Sequence, residues 1–302
     1  MTRESLLICH LRPARKKARA IAILEVLTLL DGLEPVQMAG GPLSGQGSLF
    51  WISVSESRLE EARSRLPRLG YVSAVDALRP IDSPSQAGLS VRWRGVDYLK
   101  ERLYEEDPGQ ARAAAPDQRP FLARVAGELR AIKGYRGDGA ALSRRGLPTC
   151  DASMLASLAR VVPQGRLLDP FAGVGGILLA AREGSAQAVG CDSDPWLGDG
   201  LAWLSAGRHC VADCRSLPFG DASIEGIATE PPFDPEADDA VIESIREMHR
   251  VLKPGGRLAL MCAARQAPAL DGAAAAARLV SVLRSGLDRK GTDCAVFVWE
   301  KH

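Results

Sequence analysis

The stretch RLLDPFAGVGGILLA, Arg166 to Ala180, decides how the chain reads. Arg166 to Asp169 has the composition of a short strand, and Val174 to Glu183 that of a helix. Between them Asp169-Pro170-Phe171-Ala172-Gly173-Val174-Gly175-Gly176 makes a strand-to-helix turn. Glycines there let the backbone turn tightly and let a ligand approach with no Cβ in the way. Such a turn alone is shared by nucleotide sites of many kinds, so its neighbours carry the weight. Outward from it, the pattern predicts a helix over 153–162, strands over 186–192, 209–212 and 224–229, and a helix near 195–205. A helix over 238–252 is closed by Lys253-Pro254-Gly255-Gly256, and a strand over 257–263, a helix around 271–284 and a strand over 295–300 follow. Strands and helices alternating at these lengths predict an α/β, Rossmann-like, doubly wound and mostly parallel sheet, which binds ligands at the carboxyl ends of its strands.

The front half reads differently. SLLICH (5–10), FWISV (50–54) and YVSAVDAL (71–78) are strand-like, and 14–30 and 56–66 are helix-like. The order strand, helix, strand, helix, strand suggests a smaller α+β unit of ferredoxin-like type over residues 1–85. IDSPSQAG (81–88) has linker composition, and 86–146 is read as a connecting region. Within it Val91–Arg94 suits a strand, 121–132 suits either helix or strand, and Glu105–Gly109 breaks the chain.

Net charge is +1, but residues 1–150 hold 23 basic and 17 acidic side chains, and residues 151–302 hold 15 and 20. This suits a polyanion held by the front half, although an excess of that size is also ordinary surface variation. Arg12, Arg15, Lys16, Lys17 and Arg19 are the candidates for phosphate contacts, with a solvated helix face as the plain alternative. The seven cysteines form no CxxC pair, which argues against structural zinc and against a disulfide framework and points to the cytoplasm. No segment reaches the roughly 20 apolar residues of a membrane span.

Three features carry chemistry. The first is the glycine turn. The second is Asp192, which ends the strand after it and is placed to accept hydrogen bonds from both ribose hydroxyls of a nucleoside cofactor; Asp213, after the third strand, could meet an adenine amino group. The third and most specific is Glu230-Pro231-Pro232-Phe233, at the end of the fourth strand. A nucleobase amino group is a poor nucleophile because its lone pair is delocalised into the ring. Acceptors aimed at its hydrogens favour the pyramidal, reactive form. Glu230 supplies a carboxylate, the two prolines leave only carbonyl acceptors nearby with φ fixed in advance, and Phe233 offers a flat face for stacking.

DPFAGVGGILLA, VGCDSDP, VADCRSLPFGDASIEGIATEPPF and IREMHRVLKPGGRLALM, in this order, resemble the catalytic domain of the tRNA guanosine-N2 methyltransferases, the archaeal and eukaryotic enzymes that modify a guanosine near the D-arm. The resemblance is clearest from Leu147 to Leu260 and includes the approach segment LPTCDASMLASLARV. It implies a class I methyltransferase domain over 147–302, S-adenosylmethionine as cofactor, no metal, and RNA, foremost tRNA, as partner. It implies that Asp169, Gly173 and Gly175, with Phe171 and Ala172, cradle the methionine part. Asp192 with Ser193 would hold the ribose, Asp213 with Cys214 would meet the adenine, and Cys150 of the approach segment would help close the site. Glu230, Pro231, Pro232 and Phe233 would form the catalytic loop. Two departures stand out: the family's acid is usually Asp, or Asn in relatives acting on ribosomal RNA, so Glu230 reaches about 1.5 Å further, and the front half shows no THUMP pattern. Amino methylation of DNA, protein or a small molecule, and a catalytically silent cofactor- or RNA-binding subunit, stay open as alternatives. A dehydrogenase fits least, because GVGG is not the full dinucleotide fingerprint and EPPF has no role in hydride transfer.

Overall fold

The computed structural model describes residues 4–43, 48–81, 90–106, 120–125, 128–133, 147–198, 201–202, 205–289 and 291–302, with backbone alone for 120–125 and 128–133. The chain divides into two compact units, Met1–Ala111 and Arg112–His302.

In the first unit, β1 (Glu4–Leu11), α1 (Arg19–Leu29), β2 (Val36–Met38), β3 (Leu49–Ser55), α2 (Leu59–Arg65) and β4 (Val72–Ile81) follow in order. Their strands lie side by side as β2-β3-β1-β4 with every neighbour antiparallel, which is the ferredoxin-like arrangement. The sheet does not stop there: β5 (Ser90–Trp93) and β6 (Val96–Glu105) extend it on the β4 edge. Residues 90–105 therefore belong to the first unit's sheet rather than to a connecting region. On β6, residues Lys100 and Arg102 pair ionically with the buried Asp76 of β4 at 3.0 and 2.5 Å, so charge marks a face that apolar alternation would normally mark. The expected linker at 81–88 lies almost wholly outside the described residues, as do Asp107–Gly109. The stretch 121–132 is an antiparallel pair, β7 (Pro120–Val125) and β8 (Glu128–Lys133).

The basic run does not form one helical face. Pro13–Arg15 is a 3-10 turn and α1 begins only at Arg19, because Pro13 fixes its own φ and lacks an N–H. Arg12 donates to the Gly70 carbonyl and to Glu106 at 2.8 Å each, Arg15 is buried over Tyr71, and Arg19 lies over Trp51. Lys16 and Lys17 are left exposed.

In the second unit, α3 (Thr149–Leu158) leads into β9 (Arg166–Asp169), α4 (Gly176–Glu183), β10 (Gln187–Asp192), β11 (His209–Val211), β12 (Ile224–Thr229), α5 (Asp238–Val251), β13 (Leu252–Ala263), α6 (Ala267–Ala276), β14 (Leu279–Arg289) and β15 (Thr292–Lys301). The strands order as β11-β10-β9-β12-β13-β15-β14. All pairs from β11 to β13 are parallel, and β15 runs against both its neighbours. This is the class I methyltransferase fold: the chain winds outward from β9 to β11, then returns beside β9 as β12 and winds the other way. The switch point between β9 and β12 is where such sheets bind ligands.

The helix expected around 271–284 ends at Ala276. Arg278 takes the left-handed conformation at φ 62°, which breaks the helix, and the β-branched LVSVL that follows pairs with β15. Helix α5 turns Val241, Ile245, Met248 and Val251 onto the sheet, with Asp238 and Asp239 in its first turn and His249 and Arg250 in its last, a distribution that suits the helix dipole. Phe297 and Trp299 of β15 are fully buried and stacked with centroids 4.6 Å apart. Trp299→Ala removes the larger of the two and is expected to cost about 3–5 kcal/mol, read as a lower urea midpoint; a shift worth under 1 kcal/mol would show that this layer is not packed as described.

Candidate active site

Four consecutive strands in space bring their carboxyl ends to one cavity of about 560 Å³, within the size range of small-molecule sites. β9 delivers Asp169 and the glycine turn, β10 delivers Asp192, Ser193 and Asp194, the end of β11 delivers Ala212 to Arg215, and β12 delivers Glu230 and Pro232. Leu147 and the start of α5, Ala237, Ala240 and Val241, complete the wall.

The glycine turn is shaped by two of its three glycines. Gly173 has φ 50° and Gly175 φ 80°, the second as the left-handed residue immediately before α4, where a Cβ would be strained. Asp192 binds the turn to its own strand end: Oδ2 accepts from the Gly173 N–H at 2.8 Å and Oδ1 from the Asp194 N–H at 3.0 Å. Gly190, on β10 beneath, keeps the turn and helix close, because a Cβ there would meet Leu178 at 2.7 Å.

Asp169 is buried, accepts from Thr229 Oγ1 at 2.7 Å and from the Phe171 N–H at 3.2 Å, and so ties β9 to β12 beneath the cavity. Burial raises its carboxyl from 3.8 to about 7, against the pull of those two donors. The folded value lies above the unfolded one, so the folded chain keeps a proton that the unfolded chain releases. This group's contribution to stability is therefore full below about pH 4 and is lost as pH rises through about 7. Asp169→Asn keeps an acceptor oxygen and cannot ionise. It is expected to gain urea resistance relative to wild type at pH 8 compared with pH 5, and an equal difference at both pH values would contradict burial as the cause.

Glu230 follows β12 directly. Its carboxyl is also raised, to about 7, by burial first, with Asp151 adding to the rise and Arg289 opposing it. Its Oε1 pairs with Arg289 Nη1. Pro231 is buried, Pro232 exposed and Phe233 half-buried. The Pro232 carbonyl accepts from Gln266 Nε2 at 3.0 Å and the Phe233 carbonyl from Arg265 Nη2 at 2.6 Å, so these two carbonyls pin the loop to the turn after β13. Asp213 is half-exposed and bidentate to Arg215, which holds its carboxyl down at about 2. The Cys214 thiol is pushed up to about 11 by burial and donates to the Ala240 carbonyl at 3.6 Å, which leaves it a neutral wall group.

Of the residues read from sequence, Asp169, Phe171, Ala172, Gly173, Asp192, Ser193, Asp213, Cys214, Glu230 and Pro232 line the cavity. Gly175 shapes it from behind. Pro231, Phe233 and Cys150 do not line it; Cys150 points its thiol at Asp151 Oδ1, 3.7 Å away, and Leu147 takes the lining place in the approach segment. Sequence reading missed Asp194, Arg215, the start of α5 and, next to Glu230, Asp151 and Arg289. Arg289 belongs to no motif, and Asp151 lies in the approach segment beside Cys150 with no role read for it there; only the fold brings the two together.

Residues 168–260 match the model of the methyltransferase domain family. The chain carries a methyltransferase domain. The ubiquinone/menaquinone biosynthesis C-methyltransferase UbiE of Geotalea daltonii is 32% identical over 34% of this chain and 47% of its own. The demethylmenaquinone methyltransferase of Corynebacterium kroppenstedtii is 33% identical over 32% of this chain and 41% of its own. The chain thus spans about half the length of the curated relatives it matches. The solved structure of TrmN from Thermus thermophilus superposes over 99% of this chain and 100% of its own, at a TM-score of 0.50 and 20% identity, a likeness of fold.

The cofactor of this methyltransferase domain is S-adenosylmethionine, and the cavity suits it. Five acidic side chains line it, Asp169, Asp192, Asp194, Asp213 and Glu230. Asp213 and Glu230 are paired with Arg215 and Arg289 and burial raises Asp169 to about 7, so Asp192 and Asp194 are the acids that favour a sulfonium and an ammonium. The glycine turn leaves room for close approach, and the Asp192 carboxylate at the end of β10 has acceptor capacity for hydroxyl donors. Among the described residues no group of three or more His, Cys, Asp or Glu could hold a metal ion, and no helix is long and apolar enough to cross a membrane.

Proposed function

We propose that the protein methylates an exocyclic amino group of a nucleobase, guanine N2 in tRNA, with S-adenosylmethionine as donor. The observation that carries this reading is the Glu230 carboxylate in the same cavity as the glycine turn, with a pair of prolines behind it. Asp192 and Ser193 would hold the ribose, Asp213 and Cys214 the adenine end, and Asp169 to Gly175 the methionine end. When bound, the cofactor supplies an electrophilic methyl group. Glu230 then has two tasks: its carboxylate accepts a hydrogen bond from the incoming amino group, freeing the nitrogen lone pair, and takes the proton that the nitrogen sheds. Phe233 does not line the cavity, so the stacking role expected of it is not assigned to it. The rest of the catalysis is positioning. RNA as the partner is supported by the ferredoxin-like unit ahead of the domain; the likeness to TrmN along nearly the whole chain is one of fold.

The UbiE-type relatives favour a second reading, carbon methylation of a quinone-like substrate, but their match covers about a third of this chain. The two readings separate in one assay. With radiolabelled S-adenosylmethionine, total RNA and a demethylated quinone offered in parallel, label is expected in RNA. Label confined to the quinone would replace the first reading with the second.

A further inference from the structure

Arg289 ends β14, at the tip of the hairpin it forms with β15 and far along the chain from every motif above. Its Nη1 donates to Glu230 Oε1, and its Nε lies 3.3 Å from Oδ2 of Asp151 on α3, a carboxylate with no solvent exposure. One guanidinium thus joins three elements of the second unit. Among the described residues, no other donor reaches Glu230: one carboxylate oxygen is taken and Oε2 is left.

We propose that Arg289 is a positioning residue for methyl transfer: anchored on Asp151, it clamps Oε1 of Glu230 and so aims Oε2 at the incoming amino group. The proposal rests on the reading of Glu230 as the acceptor. Its physical basis is geometric. A glutamate has one more rotatable bond than an aspartate in the same place, and a free carboxylate on that longer arm would sample several rotamers. A planar guanidinium offers N–H groups in a fixed fork, so it can serve two carboxylates at once and hold both still, which a single ammonium cannot. The clamp also sets charge. The groups that act on Glu230 are Arg289 from β14, Asp151 from α3, Asp169 from β9 and the Cys294 thiol from β15. Arg289 is the cation of that set. Without it, Glu230 would stand buried among two carboxyls and a thiol and would hold its proton, losing the ability to accept one.

The test uses the full chain with Arg289→Ala, Arg289→Lys and Asp151→Asn. Glu230 is followed directly by NMR of 13C-labelled glutamate carboxyls, assigned with Glu230→Gln. Methyl transfer is followed at saturating S-adenosylmethionine, and S-adenosylhomocysteine binding by calorimetry. Arg289→Ala is expected to move the Glu230 titration up by about 1–3 pH units, to carry the acid limb of the pH–rate profile with it, and to lower kcat about 100-fold with cofactor affinity unchanged. Arg289→Lys is expected to return the titration most of the way but not the full kcat, and Asp151→Asn to lower kcat less than Arg289→Ala. A Glu230 titration and acid limb that stay put in Arg289→Ala, with any lost rate matching lost folded protein in thermal melts, would overturn the proposal and leave Arg289 as a structural clip. If wild type transfers methyl groups to no RNA, the functional reading fails on its own, and the carboxyl titration still decides whether Arg289 governs Glu230.

Discussion

Glu230→Ala is expected to lower kcat for methyl transfer by about 10²–10⁴-fold, with S-adenosylhomocysteine affinity within a few-fold of wild type. The two effects separate because the elements separate: Glu230 comes from β12, whereas the assigned cofactor contacts come from the ends of β9, β10 and β11. The same residue sets a pH dependence. Its carboxyl is raised to about 7, first by burial, and only the ionised form accepts a proton. Activity is therefore expected to fall as pH drops below about 7, and Glu230→Gln to remove that limb together with the activity. Glu230→Asp shortens the arm by one methylene and breaks the reach to Arg289, so a loss of rate is expected. A gain of activity over a silent wild type would instead mark the chain as a cofactor-binding subunit that lost turnover at this position.

Asp192→Ala is expected to weaken cofactor binding by at least about 100-fold. A hydrogen bond to a charged group contributes about 1.5–3 kcal/mol, and a ribose offers two. The substitution also releases the Gly173 and Asp194 N–H groups that the carboxylate now holds at 2.8 and 3.0 Å, so the glycine turn is left with its backbone bond to β10, from the Ala172 N–H to the Cys191 carbonyl. Asp213→Ala is expected to weaken binding less, because its carboxylate is half-exposed and already bidentate to Arg215. Calorimetry with S-adenosylhomocysteine on both variants, with circular dichroism to check folding, reads the contrast. Equal losses at the two positions would contradict the assignment of Asp192 as the main ribose acceptor.

The parts of this fold that could be read from sequence are those with short-range signals. The strand-to-helix turn at 169–176 carries Gly173 and Gly175 where positive φ is needed. The spacing of Asp192, Asp213 and Glu230 follows from a parallel sheet that repeats strand, helix and strand-end loop, so each acid lands at a carboxyl end on the same edge. What could not be read depended on contacts made across the chain. β6 alternates Tyr98, Lys100 and Arg102 on one face, and these look solvated until Asp76, 24 and 26 residues away from the two cations, is placed beneath them. The basic run near residue 15 looked like one cationic face, but Arg12, Arg15 and Arg19 each find an internal partner. LVSVL after the alanine run looked helical by continuity, yet its β-branched residues pair with β15. Arg289 and Asp151 stand 138 positions apart and meet only because the β14–β15 hairpin and α3 converge beside the end of β12.

The most direct test of the central claim is nucleoside mass spectrometry on unmodified tRNA incubated with the protein and S-adenosylmethionine, for wild type beside Glu230→Ala. N2-methylguanosine that forms with wild type and is absent with the variant is the predicted result. Unmodified nucleosides from the wild-type reaction, under conditions where calorimetry shows the cofactor bound, would contradict it.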